Sequence, residues 1–106
     1  SGTHISALSN RNPGWVAVSS VGRADQINFD SQVGVLISEI YLTNSDEQNP
    51  IVCRVAHHRS FGNRGNVGYF AEPHVTMSPT GTRLLFGSDW GNSGSVDTYV
   101  IELPVH

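Results

Sequence analysis

The chain repeats itself. His4-Ile5-Ser6, a turn, and then Gly14 leading into Trp15-Val16-Ala17-Val18-Ser19-Ser20 find a counterpart in His74-Val75-Thr76, a turn, and Gly81 leading into Thr82–Ser88. Downstream, Glu39-Ile40-Tyr41-Leu42 is matched by Asp97-Thr98-Tyr99-Val100. A repeat constrains a fold strongly, because each copy must build the same unit and bury its apolar face against a neighbour. Each copy reads as inner strand, turn, strand, loop, strand. The first copy adds an outer strand at Ile51–Ala56; the second stops before one.

The strands follow from β-branched and aromatic runs bounded by turn residues. They are expected at His4–Leu8, Trp15–Ser19, Val33–Thr43 (kinked near Ser38), Ile51–Ala56, His74–Met77, Arg83–Phe86 and Val96–Leu103. Ser78-Pro79-Thr80-Gly81 is a tight turn: Pro presets φ, Ser bonds nearby backbone, and Gly takes a conformation that strains other residues. Asn44–Pro50 is a polar hairpin loop, and Val21–Gln32 reads as a long loop inside the first copy. No stretch has a capped helical face, so the class is all-β. The chain divides into a first unit over residues 1–60, with its long internal loop, and a connection plus a second, incomplete unit over residues 61–106.

Four antiparallel strands per unit, joined by polar turns, is the plan of a β-propeller blade. Ser78-Pro79-Thr80-Gly81, Leu84-Leu85-Phe86-Gly87-Ser88 and Tyr99-Val100-Ile101-Glu102-Leu103 resemble the SPDG, hhFxS and hYhhdL pattern of TolB-like, WD40-like bacterial propeller repeats, with Thr80 in place of the usual Asp. The resemblance is closer over residues 72–104 than over residues 3–58. It implies about two blades, the second lacking its outer strand. Propellers carry about four to eight blades. The chain is therefore expected to be the C-terminal part of a larger propeller, or to associate with further copies of itself; three copies would make six blades. The alternative from the strand pattern is one β-sandwich or β-roll of about seven strands.

Composition narrows the partners. All six basic residues are Arg, against nine acidic ones, for a formal net charge of -3. Without a basic stripe, no nucleic-acid partner is expected. No apolar run approaches the roughly 20 residues that span a bilayer, so no membrane partner is expected either. Abundant Ser, Thr, Asn and Gly with only 14% charged residues suit a periplasmic or secreted, carbohydrate-facing protein. The chain opens Ser-Gly-Thr without Met, so a missing signal peptide carries no information on export. Cys53, the single cysteine, lies in an apolar run and is expected to be a buried, inert thiol.

Chemistry is expected where the two inner strands begin. His4 and His74 occupy equivalent places, and Glu72 lies two residues before His74, on the same face of an extended strand. Two His and a carboxylate form a divalent-metal set; hydrogen bonds that tie the loop to a neighbouring strand are the structural alternative. Glu72-Pro73-His74-Val75-Thr76-Met77-Ser78-Pro79, followed by Leu84–Asp89, is similar to a stretch of oligogalacturonate lyase-like polysaccharide lyases. That resemblance implies a manganese ion held by His74, with Glu72 standing where the family has His and His4 as the ligand from the preceding blade. The Gln that the family places shortly before has no counterpart in Val67–Ala71. The implied reaction is β-elimination on a uronate of an acidic polysaccharide. His57, His58, Arg59 and Tyr69, in the connection between the units, are the catalytic candidates. Trp90 is a candidate for stacking on a sugar, with packing between blades as its other reading. A non-catalytic propeller module for glycan or protein is the alternative function.

Overall fold

A computed structural model describes residues 4–7, 10–21, 36–62 and 65–104. Seven strands form among them: β1 (His4–Ser6), β2 (Trp15–Ser19), β3 (Glu39–Asn44), β4 (Val52–His57), β5 (Thr76–Met77), β6 (Arg83–Ser88) and β7 (Asp97–Glu102). They make two antiparallel sheets, ordered β1-β2-β3-β4 and β5-β6-β7. Among the described residues the fold is all-β, with four strands in the first sheet and three in the second. The long loop expected over 21–32 and the start of the strand expected at Val33 lie almost wholly outside the described residues. β3 begins only at Glu39, because Leu36 and Ser38 adopt positive φ (65° and 56°) and break the extended run.

Local chemistry sets the turns. Gly81, at φ 68°, donates its N–H to the Ser78 carbonyl at 2.9 Å, closing the Ser78–Gly81 turn. Ser78 Oγ accepts from the Arg83 N–H and fixes the next strand's entry. In the 44–50 loop, Asp46 Oδ1 accepts the N–H groups of Gln48 and Asn49, and Asn44 Oδ1 accepts that of Ile51. These side chains stand in for backbone partners that the bend removes.

The pairing registers of the two sheets match in part. His4 pairs with Ser19, and the Gly87 N–H bonds the Pro73 carbonyl beside His74. Val18 faces Tyr41 as Phe86 faces Tyr99, and Ser19 faces Ile40 as Gly87 faces Thr98. Directly opposed residues share a sheet face, and alternate residues along a strand do too. Ala17 and Ile40, with Leu42 and Val55, therefore form one face of the first sheet. They pack on Val75, Met77, Leu84 and Phe86 of the second, with Tyr99 and Ile101 alongside. By register the contacting face of the second sheet corresponds to the opposite, Val18–Tyr41 face of the first. The two units stack head to tail, not face to like face. Two buried hydroxyls clasp the junction: Ser6 Oγ accepts from the Met77 N–H and Ser19 Oγ from the Val75 N–H.

Two expectations are corrected. Cys53 is exposed, not buried. Val52, Cys53 and Arg54 are all open on β4, because β4 is the sheet's edge strand and a register shift at Ile40/Tyr41 disturbs its alternation. Likewise Glu72 and His74 are not on an extended strand. β5 begins at Thr76, and His74 takes a left-handed φ of 47°.

Candidate metal centre

His4 opens β1, while Glu72 and His74 lie in the segment that enters β5. A 3-10 turn over Gly68–Ala71 delivers that segment, and the Glu72 N–H closes it on the Tyr69 carbonyl at 2.9 Å. Pro73 is fully buried between the two ionisable residues. It anchors the segment to the second sheet while Glu72 and His74 turn toward β1.

The rings of His4 and His74 lie 3.8 Å apart between centroids, and His4 Nδ1 is 3.9 Å from Glu72 Oε2. One donor atom from each of the three residues falls within 4.8 Å of the other two. His74 Nδ1 is 2.6 Å from the Glu72 carbonyl oxygen. A carbonyl only accepts, so Nδ1 carries the proton and Nε2 keeps its lone pair. This is how metal-binding histidines are usually oriented, with one ring N–H on a backbone carbonyl and the other nitrogen free to ligate. The Tyr69 hydroxyl occupies that lone pair at 3.2 Å. His4 Nδ1 is buried and has no hydrogen-bond partner. Burial, then the charge of His74, push the His4 pKa down, against a smaller upward pull from Glu72. A neutral imidazole is the form that binds a metal. Two imidazoles and a carboxylate suit manganese, iron or zinc, and leave coordination positions open for water or a ligand.

The other sequence candidates are dispersed. Tyr69 joins the three metal candidates. His57 sits at the exposed end of the edge strand β4, with Nε2 3.9 Å from Glu39 Oε1. His58 is fully buried: its Nδ1 accepts the Ser60 N–H at 2.9 Å and its Nε2 donates to the Ser20 carbonyl at 2.7 Å. Burial, the leading cause, lowers its pKa. Arg59, at φ 55°, accepts the Gly91 N–H on its carbonyl and lays its guanidinium 5.7 Å from the Trp90 ring centre. Trp90 stacks on Tyr99, and Tyr99 on Phe86. The half-exposed indole thus has Tyr99 stacked on it and Arg59 over it.

Sequence reasoning missed two features. Ser60 and Asp89 are buried beside His58, and Ser60 Oγ donates to the Ala71 carbonyl. Asp89 Oδ1 accepts from the Phe61 and Asn92 N–H groups. The trio has the composition of a hydrolytic triad, but backbone groups hold both the hydroxyl and the imidazole, so it clasps the connection to the second sheet. Phe70 is the second feature. It is 78% exposed and sits edge-on to Tyr69, beside the candidate centre. Its only sequence signal was an aromatic pair in a Gly-flanked connection. Compared with known protein families, curated proteins and solved structures, the chain matches none.

Proposed function

We propose that the chain contributes two blades to a β-propeller that holds a divalent ion on His4, Glu72 and His74 and uses it to bind the carboxylate of an acidic carbohydrate. The observation that carries this reading is the convergence of two histidines, from the equivalent starts of both units, on one carboxylate. The head-to-tail stacking of two similar sheets supports the propeller part. The tautomer enforced on His74 supports the metal part.

A divalent ion held by His4, Glu72 and His74 would supply a Lewis acid that neutralises a uronate carboxylate and so makes the neighbouring C–H more acidic. A base then takes that proton, the electron pair forms a C=C bond, and the glycosidic oxygen leaves with a proton to give an unsaturated uronate and a new hydroxyl. Tyr69 is the proton-transfer group that the centre brings close. A non-catalytic glycan- or protein-binding module is the second reading. It is favoured by the commitment of His58 to two backbone partners, which removes one candidate base.

The test is calorimetric titration with an oligouronide and with its neutral counterpart, each with and without Mn2+, followed by absorbance of the unsaturated product. Metal-dependent preference for the charged oligomer is expected. Equal binding of both, or none, overturns the carbohydrate reading. Binding without absorbance leaves the non-catalytic module.

A further inference from the structure

The stacking order identifies which surfaces are unfinished. In the first sheet, Ser6, Ala17 and Leu42 lie under the second sheet. Their register equivalents in the second sheet are Thr76, Leu85 and Val100. That face carries no further layer among the described residues: Leu85 is 46% exposed and Val100 56%, with Val96 also open beside them. Residues that cover the equivalent face inside the chain are Val75 and Met77, on the inner strand of the following unit. Their counterparts in the first unit are Ile5 and Ala7. Both are exposed, Ile5 at 68%. One end of the stack thus lacks a cover, and the other end carries the residue types that cover it.

We infer that the Leu85–Val100 face of one copy receives the Ile5–Ala7 segment of a second copy, as Val75 and Met77 are received within one chain. The inference rests on the propeller reading above and commits it to self-association. The hydrogen bonding supports it at one of two points. Ser6 Oγ clasps the Met77 N–H inside the chain, and Thr76 puts a hydroxyl at the equivalent place for the Ala7 N–H of the second copy. At the other point Gly87 stands in the place of Ser19, so that clasp is absent. The contact joins two different surfaces, so it is heterologous and adds copies in one direction until a ring closes. The exposed Arg83–Glu102 pair borders the face and forms a polar rim.

The test uses mass measured by light scattering. The unmodified chain is expected at a fixed multiple of 11.5 kDa. Ile5→Glu alone, and Leu85→Glu with Val100→Glu, are each expected to give folded monomers, with folding checked by circular dichroism. Because each variant keeps the surface that the other has lost, an equal mixture is expected to form a complex of two chains and no larger. A monomeric unmodified chain overturns the inference, as does a mixture that stays monomeric or a dimer broken by only one variant. Mn2+ titration of the Leu85/Val100 variant is read separately. Intact binding there, beside a monomeric unmodified chain, means that the metal reading survives and this one does not.

Discussion

His4 and His74 stack their rings 3.8 Å apart, although one opens the first strand and the other precedes the fifth. Nothing local brings them together. They meet because β1 and β5 lie side by side where the two sheets pack, and Glu72 then closes the group from the segment that enters β5.

The metal affinity of the chain should depend on both rings. Calorimetry with Mn2+ or Zn2+ is expected to show one site per chain. His74→Ala and His4→Ala should each weaken it by at least about 100-fold, with little change in the unfolding midpoint because both side chains are partly solvated. Affinity should also fall in acid, because a protonated imidazole has no lone pair to give an ion. An unmodified chain that binds no divalent ion would sink the centre.

Tyr69→Phe separates a ligand role from a gating one. The Tyr69 hydroxyl must leave His74 Nε2 before an ion can bind there. Removing a hydrogen bond worth about 1 kcal/mol should raise affinity about fivefold. Loss of affinity instead would make Tyr69 a ligand. Any eliminase activity should fall in the same variant.

Acid should weaken the fold in two steps. The His58 pKa is lowered in the folded state by burial. Below the ordinary value of about 6.5 the unfolded chain takes up a proton that the folded chain refuses, so stability falls as pH drops from there. The Glu39 pKa is also lowered, chiefly by its hydrogen bonds from Arg54. Its contribution is full above the ordinary value of about 4.3 and is lost as pH falls through the folded one. Urea midpoints measured from pH 8 down to about 2 should show both steps. His58→Phe should remove the upper step and destabilise by about 2–4 kcal/mol, because it strands the Ser20 carbonyl and Ser60 N–H. Glu39→Gln should flatten the lower step. A pH-independent midpoint for the unmodified chain would refute the scheme.

Cys53 and Leu84 report on opposite sides of the fold. Cys53 is exposed on β4, so a thiol reagent should modify it in the native state at a rate close to that of the unfolded chain. Slow, unfolding-limited labelling would contradict the edge position. Leu84 is fully buried in the junction between the sheets. Leu84→Ala should cost about 2–5 kcal/mol, seen as a lower urea midpoint.

Much of the fold could be read from local chemistry. Residue type alone places β2 at its observed bounds, and the Ser78–Gly81 turn follows from Pro and Gly at the positions a turn requires. The pairing of Glu39–Leu42 with Asp97–Val100 as equivalent strands also came from the repeat. Cys53 shows where such reading fails: an apolar run looks the same on a central strand and on an edge strand, and only strand order distinguishes them. His74 shows a second failure. Spacing suggested an extended strand, yet a left-handed φ of 47° turns its ring toward His4.

By itself, then, the sequence points to an all-β chain of two similar β-units and to where their turns fall. These follow from residue types acting on their own backbone. The tertiary structure alone decided which faces meet. The repeat groups His4, Glu72 and His74; stacking head to tail set their distances and added Tyr69. It bound His58 into the interior and left His57 at an edge. Those outcomes depend on contacts between residues far apart in the chain, and no local pattern encodes them.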